Sequence, residues 1–241
     1  MSVELWAPLP GSFVTSRNHL HQIAFFAISP ARFDEVGRMG LSPTHRGFGT
    51  PEFNGKVARV EGDLLVTEND GNHATQVISD VRSAAEFFSG SYREVWFDDF
   101  RDPLIPIDPD APLSVDQGDT ALIGEWFSFG FSVLDSFKRS GAEDDDISES
   151  QIWPEHFDAA AELGRAEAGR RASYGASPGD AGVDEPYFYV APWGDFDRGD
   201  SYWNASSFNG SILTHGELIR ADDPESEAYG FLRAGYERLR S

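Results

Sequence analysis

The 241-residue chain contains no cysteine. Disulfide scaffolds, thiolate zinc sites and cysteine nucleophiles are thereby excluded. Lysine is almost as scarce: Lys56 and Lys138 are the only two, and every other basic side chain is arginine. Cations are few altogether, 19 Lys and Arg against 41 Asp and Glu, which leaves a formal charge of −22. Nucleic acids draw most of their protein affinity from basic side chains that displace counterions, so no nucleic-acid partner is expected. Anionic lipid surfaces are disfavoured on the same ground. No stretch approaches the roughly 18 apolar residues of a membrane helix. The start, Met1-Ser2-Val3-Glu4-Leu5-Trp6, lacks the basic segment and apolar run of a secretory signal. No membrane partner is expected, and the expected location is the cytoplasm. The sequons at Asn204 and Asn209 are then coincidental.

What is present is aromatic. The chain carries 19 phenylalanines and 6 tryptophans within a hydrophobic content of 40%, enough for a sizeable core. Its length suits a single compact domain, 1–241. Residues 19–28 read as a buried strand closed by Pro30. Lys56–Glu61 and Asp63–Glu68 flank Gly62 as a β-hairpin. Asn69-Asp70-Gly71-Asn72 is a turn signal, after which 73–81 reads as a further strand. Ser83 can cap a short helix over 84–88, and 92–97 reads as a strand.

Residues 98–118 hold four prolines and six aspartates and read as a connection without regular structure. A helix follows, about 120–139, with Asp119 as a candidate cap. Leu122, Trp126, Phe129, Val133 and Phe137 recur at helical spacing, and Ile123, Phe127, Phe131 and Leu134 cover a second face, so this helix should be buried. In the last third, 186–193 reads as a strand, with two more at 202–204 and 208–214. A closing helix, about 224–240, starts at Pro224 after the capping candidate Asp223, with Tyr229, Leu232, Tyr236 and Leu239 inward. The short hairpin spacings and the lack of a βαβ rhythm point to an α+β fold with mainly antiparallel sheets. The chain can be read as two related β-rich halves, 1–97 and 151–241, joined by the Pro/Asp-rich connection and the central helix. A faint echo between 83–92 and 226–236 supports this.

The chain resembles a family of uncharacterised bacterial proteins classed as a domain of unknown function. The likeness rests on Leu5-Trp6, Leu9-Pro10, 19–28, Gly40-Leu41-Ser42-Pro43, 59–66, Trp153-Pro154-Glu155-His156-Phe157-Asp158, 174–179, 186–193 and the closing helix. It implies one shared architecture and carries no activity. It also implies a strand, rather than a helix, over 155–163.

On such a strand Trp153, Phe157, Ala159, Ala161 and Leu163 would face the core, and His156, Asp158 and Glu162 the other side. His156 and Asp158 would then be neighbours able to share a proton. As a helix, the acidic first turn would merely complement the dipole. Tyr174-Gly175-Ala176-Ser177-Pro178-Gly179-Asp180 reads as a tight loop that could place Asp180 in a pocket. It nearly meets the nucleophile-elbow pattern. However, Pro178 lacks the N–H that an oxyanion hole needs. Around 187–208 an aromatic cluster, Tyr187, Tyr189, Trp193, Tyr202, Trp203 and Phe208, could line a pocket; alternation puts Tyr187 and Tyr189 on one face and Phe188 and Val190 on the other. His19 and His21 would share one strand face, but His-x-His without a third ligand is a weak metal signal.

The leading expectation is a small-molecule-binding protein. Trp153, Tyr174, Tyr187, Tyr189, Trp193 and Trp203 would line the pocket, with His156, Asp158 and Asp180 as its polar groups. An enzyme here would use general acid/base chemistry, His156 moving the proton and Asp158 or Asp180 orienting it. No cofactor or resident metal is expected. One alternative is a non-catalytic interaction or structural protein with an aromatic surface, for which a homo-oligomer is natural. The other is a metal-dependent hydrolase, which requires three of His19, His21, His156, His215 and nearby carboxylates to converge.

Overall fold

The computed structural model describes residues 4–94, 107–197 and 199–240. They form an α+β fold with two antiparallel five-stranded sheets. The chain divides into two compact units, one containing 10–125 and 153–157, the other 4–9, 126–152 and the residues from 158 onward.

The first unit opens with α1 (Phe13–Ile23), a wide turn of helix over Ala24–Ile28, and α2 (Ser29–Val36). The strand expected at 19–28 is therefore helical. Its apolar run suits either element when read alone. Upstream, Phe13, Ser16, Arg17, Leu20 and Ile23 are buried at a spacing of three and four, which continues a helix into the run. Pro30, expected to end a strand, sits in the first turn of α2, where its missing N–H costs nothing.

The sheet follows as a meander of β1 (Ser42–Thr44), β2 (Gly47–Gly49), β3 (Lys56–Glu61), β4 (Leu64–Asn69) and β5 (Asn72–Val77), in that spatial order. The hairpin about Gly62 is as the sequence indicates; β1 and β2 were too short to leave a pattern. After β5 comes α3 (Val81–Ser89). Its cap is Asp80 rather than Ser83. The Asp80 carboxylate accepts from Ser83 N and Ser83 Oγ, both at 2.7 Å. Of the strand expected at 92–97, residues 95–97 lie outside the described residues, as do 98–106 of the proline-rich connection.

Next is α4 (Gln117–Lys138). Its cap is Asp116, whose Oδ1 accepts from Gly118 N at 2.7 Å. Asp119, expected to cap it, is instead fully buried within the first unit, accepting from Ser16 Oγ at 2.7 Å. Only Glu125, Ser128, Ser132 and Asp135 are exposed between Asp119 and Lys138, a single narrow polar stripe, so the helix is buried on most sides as its sequence requires.

The second sheet is also a meander: β6 (Gln151–Trp153), β7 (Asp158–Leu163), β8 (Ala172–Ser177), β9 (Tyr187–Pro192) and β10 (Ser211–Thr214). The strand reading of 155–163 holds from Asp158. Before it the chain makes a turn, and Phe157 adopts a left-handed φ of 53°. This turn breaks the alternation that would have put His156 beside Asp158. The segment read as a loop over 174–180 is mostly strand β8, and 202–204, expected as a strand, is irregular.

The chain then forms the one-turn α5 (His215–Leu218) and α6 (Pro224–Arg240). Trp126 and Phe129 of α4 pack edge-on against Phe188, with centroids 5.4 and 5.6 Å away, and Phe137 packs on Tyr174 at 4.7 Å. From α6 the buried residues are Ala228, Leu232, Gly235 and Tyr236. Tyr229 and Leu239, expected in this seam, are half-buried beside it. Asp223 caps α6 by the bonds Asp80 makes for α3: it accepts from Ser226 N at 3.1 Å and Ser226 Oγ at 2.7 Å. Each β-rich half thus runs through a five-stranded meander to a helix with an Asp-x-x-Ser cap.

Candidate functional site

The sheet of the second unit has two unlike faces. Ala159, Ala161, Leu163, Tyr174, Ala176, Phe188 and Val190 are buried, and the contacts of Tyr174 and Phe188 with α4 mark this as the core side. Strand alternation sends the intervening residues to the other side. There the register sets Ser177 opposite Tyr187, and Tyr187 opposite Thr214. One step along, Ala160 pairs with Gly175, and Gly175 with Tyr189. Asp158 precedes Ala160 by two and shares its face.

This face holds two tyrosine–carboxylate pairs. Tyr189 donates its hydroxyl to Asp158 Oδ2. Tyr187 donates to Asp180 Oδ2 at 2.5 Å. The second carboxylate is fixed from behind, since Asp180 Oδ1 accepts from Gly182 N at 2.6 Å and Val183 N at 2.9 Å. Ser177 Oγ accepts from Gly179 N at 3.1 Å. The Tyr187 and Tyr189 rings lie 6.2 Å apart, and Phe208 adds a third ring, 6.2 Å from Tyr189. Asp158 and Tyr187 are each 5% exposed, whereas Tyr189 and Asp180 keep partial access to solvent. Burial pushes the Tyr187 phenol pKa up, and the hydrogen bond to Asp180 with the charges of Asp180 and Asp158 pushes it further; Ser177 opposes this. Tyr187 therefore stays a protonated donor at neutral pH.

Gly175 makes the first pair possible. A Cβ there would fall 2.4 Å from Tyr189 Cε1 and 2.6 Å from its hydroxyl. The tyrosine crosses the β8 position that a side chain would fill and so reaches Asp158 from two strands away.

The other expected site residues are elsewhere. Tyr174 is fully buried on the core side, where burial raises its pKa. Trp193 lies at the far end of the outer face and is 57% exposed; its Nε1 donates to Ser173 Oγ at 3.0 Å, and Arg171 stacks on it at 5.1 Å. Trp203 packs on Phe196 and Tyr202 at 4.5 and 4.8 Å, and Tyr202 leads on to Phe231 of α6. Trp153 is half-buried and closes the hairpin turn by accepting from Phe157 N at 2.7 Å. His156 is exposed on that turn, within the first unit, and Asp158 and Asp180 belong to the second. The shared strand face on which a His156 proton transfer rested is absent.

His19, His21 and His215 serve the fold. His19 and His21 lie on a helix, not on one face of a strand. His19 Nδ1 accepts from Ser114 N at 2.9 Å. His21 Nε2 meets Glu155 O at 3.2 Å, and its ring stacks on Phe157 at 5.3 Å. Burial lowers the His21 pKa to about 4, the charges of His156 and Arg17 adding to this while the Glu155 and Pro154 carbonyls oppose it. His215 is buried, its Nε2 bonded to Leu5 O at 2.7 Å. Among the described residues no three His, Asp or Glu converge to hold a metal ion.

No family model matches the chain, and no curated protein or solved structure matches it. The reading of the site rests on its own geometry.

Proposed function

We propose that the outer face of the second sheet binds a small polar molecule, with Tyr189, Asp180 and Phe208 at the entrance and Asp158, Ser177 and Tyr187 behind them. The observation that carries this reading is the pairing of two tyrosines from one strand face with two carboxylates, Asp158 at the start of β7 and Asp180 in the β8–β9 connection. Each pair holds a donor and an acceptor in fixed geometry beside aromatic surface, which is how pockets combine apolar lining with a few oriented polar groups. Binding is favoured over acid/base catalysis because His156 stands on an exposed turn and the raised Tyr187 pKa keeps that phenol protonated. The net charge of −22 favours a small ligand over a nucleic acid, and the composition suits the cytoplasm. No described helix is long and apolar enough to cross a membrane.

A thermal-shift screen of neutral, cationic and anionic small polar compounds tests the proposal. A genuine ligand raises the melting temperature of the native chain and not of Tyr189→Phe or Asp180→Asn. A screen with no such compound, or with hits indifferent to both substitutions, removes the reading.

A second reading has one observation behind it. Trp193 exposes 57% of its surface, which suits an interface with a second copy of the chain. A concentration-dependent mass in solution that Trp193→Ser abolishes would favour it; a monomer at all concentrations would end it.

A further inference from the structure

A groove of about 360 Å³ opens along α6, lined by Ser140, Ala142, Arg233, Tyr236, Glu237 and Arg240. It belongs to the second unit and involves none of the residues of the tyrosine–carboxylate face. The spacing 233, 236, 237 and 240 puts four of its residues on one side of the helix. Tyr236 is buried between two cations: the guanidinium of Arg233 lies 5.2 Å from the ring centroid, that of Arg240 5.3 Å. Such stacking fixes the guanidinium planes and leaves their edges to bond in plane.

Both arginines are held from behind. Arg240 Nη1 donates to Asp145 Oδ1 at 2.8 Å. The Asp145 side chain has no exposure, and its Oδ2 also takes the Tyr236 hydroxyl at 2.5 Å and Ala142 N at 2.9 Å. Arg233 donates through Nη1 to Ser140 O at 2.9 Å and through Nε to Glu237 at 2.7 Å. Its Nη2 has no hydrogen-bond partner among the described residues. Arg240 Nη2 forms an ion pair with Asp144 Oδ1 at 3.7 Å, too long for a hydrogen bond. The groove therefore presents two guanidinium edges with unused N–H groups, both held in place by the buried Tyr236 ring beneath them. The lining also holds the Glu237 carboxylate, which takes Arg233 Nε and leaves the Nη2 edge of that guanidinium toward the groove.

We propose that this groove binds a small organic carboxylate. A planar carboxylate matches the guanidinium edge in shape, a single negative charge limits repulsion from the rest of the chain, and Ala142 with the aliphatic stem of Arg233, both half-exposed in the lining, offers apolar contact to the body of the ligand. Titration of the 15N-labelled full chain with benzoate tests this. The expected result is saturable shifts of the Ser140 and Ala142 amides at about millimolar benzoate, weakened about tenfold in Arg233→Gln and also weakened in Arg233→Lys, which keeps the charge and loses the fork. Arg59→Gln, in the first unit, where its partners are Glu61 and Glu68, should bind as the native chain does. Arg233 is itself half-exposed and its ion pair with Glu237 is at the surface, so the loss of stability on substitution is chiefly that of its stacking on Tyr236, about 1 kcal/mol. Absence of saturable shifts, equal shifts with chloride, stronger binding of inorganic phosphate than benzoate, or unaltered binding in Arg233→Gln would each overturn the proposal.

Discussion

Tyr189 occupies the space above Gly175 that a side chain would otherwise take, and so reaches the Asp158 carboxylate. Gly175→Ala should force the ring aside and break that bond, at a cost of about 1–3 kcal/mol of stability by overpacking. Tyr189→Phe removes the bond alone and should cost about 1 kcal/mol. The check is a cycle by urea denaturation. Gly175→Ala should be much less costly when Tyr189 is already alanine. An undiminished cost there would mean that Gly175 serves some other contact.

Tyr174 was grouped with the ligand-binding aromatics by sequence, and the structure gives it a different role. Its hydroxyl is buried without a hydrogen-bond partner among the described residues, and its ring packs on Phe137. Tyr174→Phe should therefore be neutral or stabilising by up to about 1 kcal/mol, since it removes an unsatisfied polar atom and keeps the packing. Ligand-induced stabilisation at the outer face should be unchanged. A loss of more than about 1 kcal/mol would show that the hydroxyl has a partner, such as a bound water.

The caps of α3 and α6 give a paired prediction. Asp80→Ala and Asp223→Ala each remove a carboxylate that accepts from the backbone and side chain of the serine three residues on. Each should cost about 1 kcal/mol in denaturant unfolding. Asp119→Asn should behave differently, although the sequence made Asp119 look like a cap. It keeps an oxygen to accept from Ser16 Oγ and changes only the fully buried Oδ1, which has no hydrogen-bond partner among the described residues, so it should be close to neutral.

These cases show where the sequence was legible. The hairpin at 56–69, the buried helix about 120–139 and the closing helix follow from local periodicity and turn residues, which act over a few positions. The 19–28 segment reads as a strand in isolation because a short apolar run fits a strand or a helix, and only the spacing back to Phe13 decides between them. Alternation along 187–190 correctly separated Tyr187 and Tyr189 from Phe188 and Val190. Their carboxylate partners were harder to assign, because Asp158 and Asp180 come from the β7 start and the β8–β9 connection, and pairing between them depends on register. Gly175 looked like a loop residue because glycine signals turns; its strand role exists only once Tyr189 is placed over it. Arg233, Tyr236 and Arg240 recur at helical spacing, but the groove they line also needs residues 140–145, which that spacing does not bring to them.

His21 makes stability depend on pH in a definite direction. Its Nε2 meets a carbonyl oxygen, so in the neutral ring that nitrogen carries the proton. Burial holds the folded pKa at about 4, below the ordinary 6.5. Between these values the unfolded chain takes up a proton that the folded chain refuses. The stabilising effect of neutrality is complete above pH 6.5, is lost progressively as pH falls, and the loss is complete below about 4. At pH 5 the cost would be about 2 kcal/mol for a fully enclosed ring, and nearer 1 kcal/mol given that the residue is partly exposed. Carboxylates titrate in the same window, so the comparison is with His21→Gln, whose amide can still donate to Glu155 O. The gap in urea midpoint between the two chains should shift toward the variant as pH drops from 7 to 5. A gap independent of pH would mean that the His21 ring is protonated in the folded chain as readily as in the unfolded one.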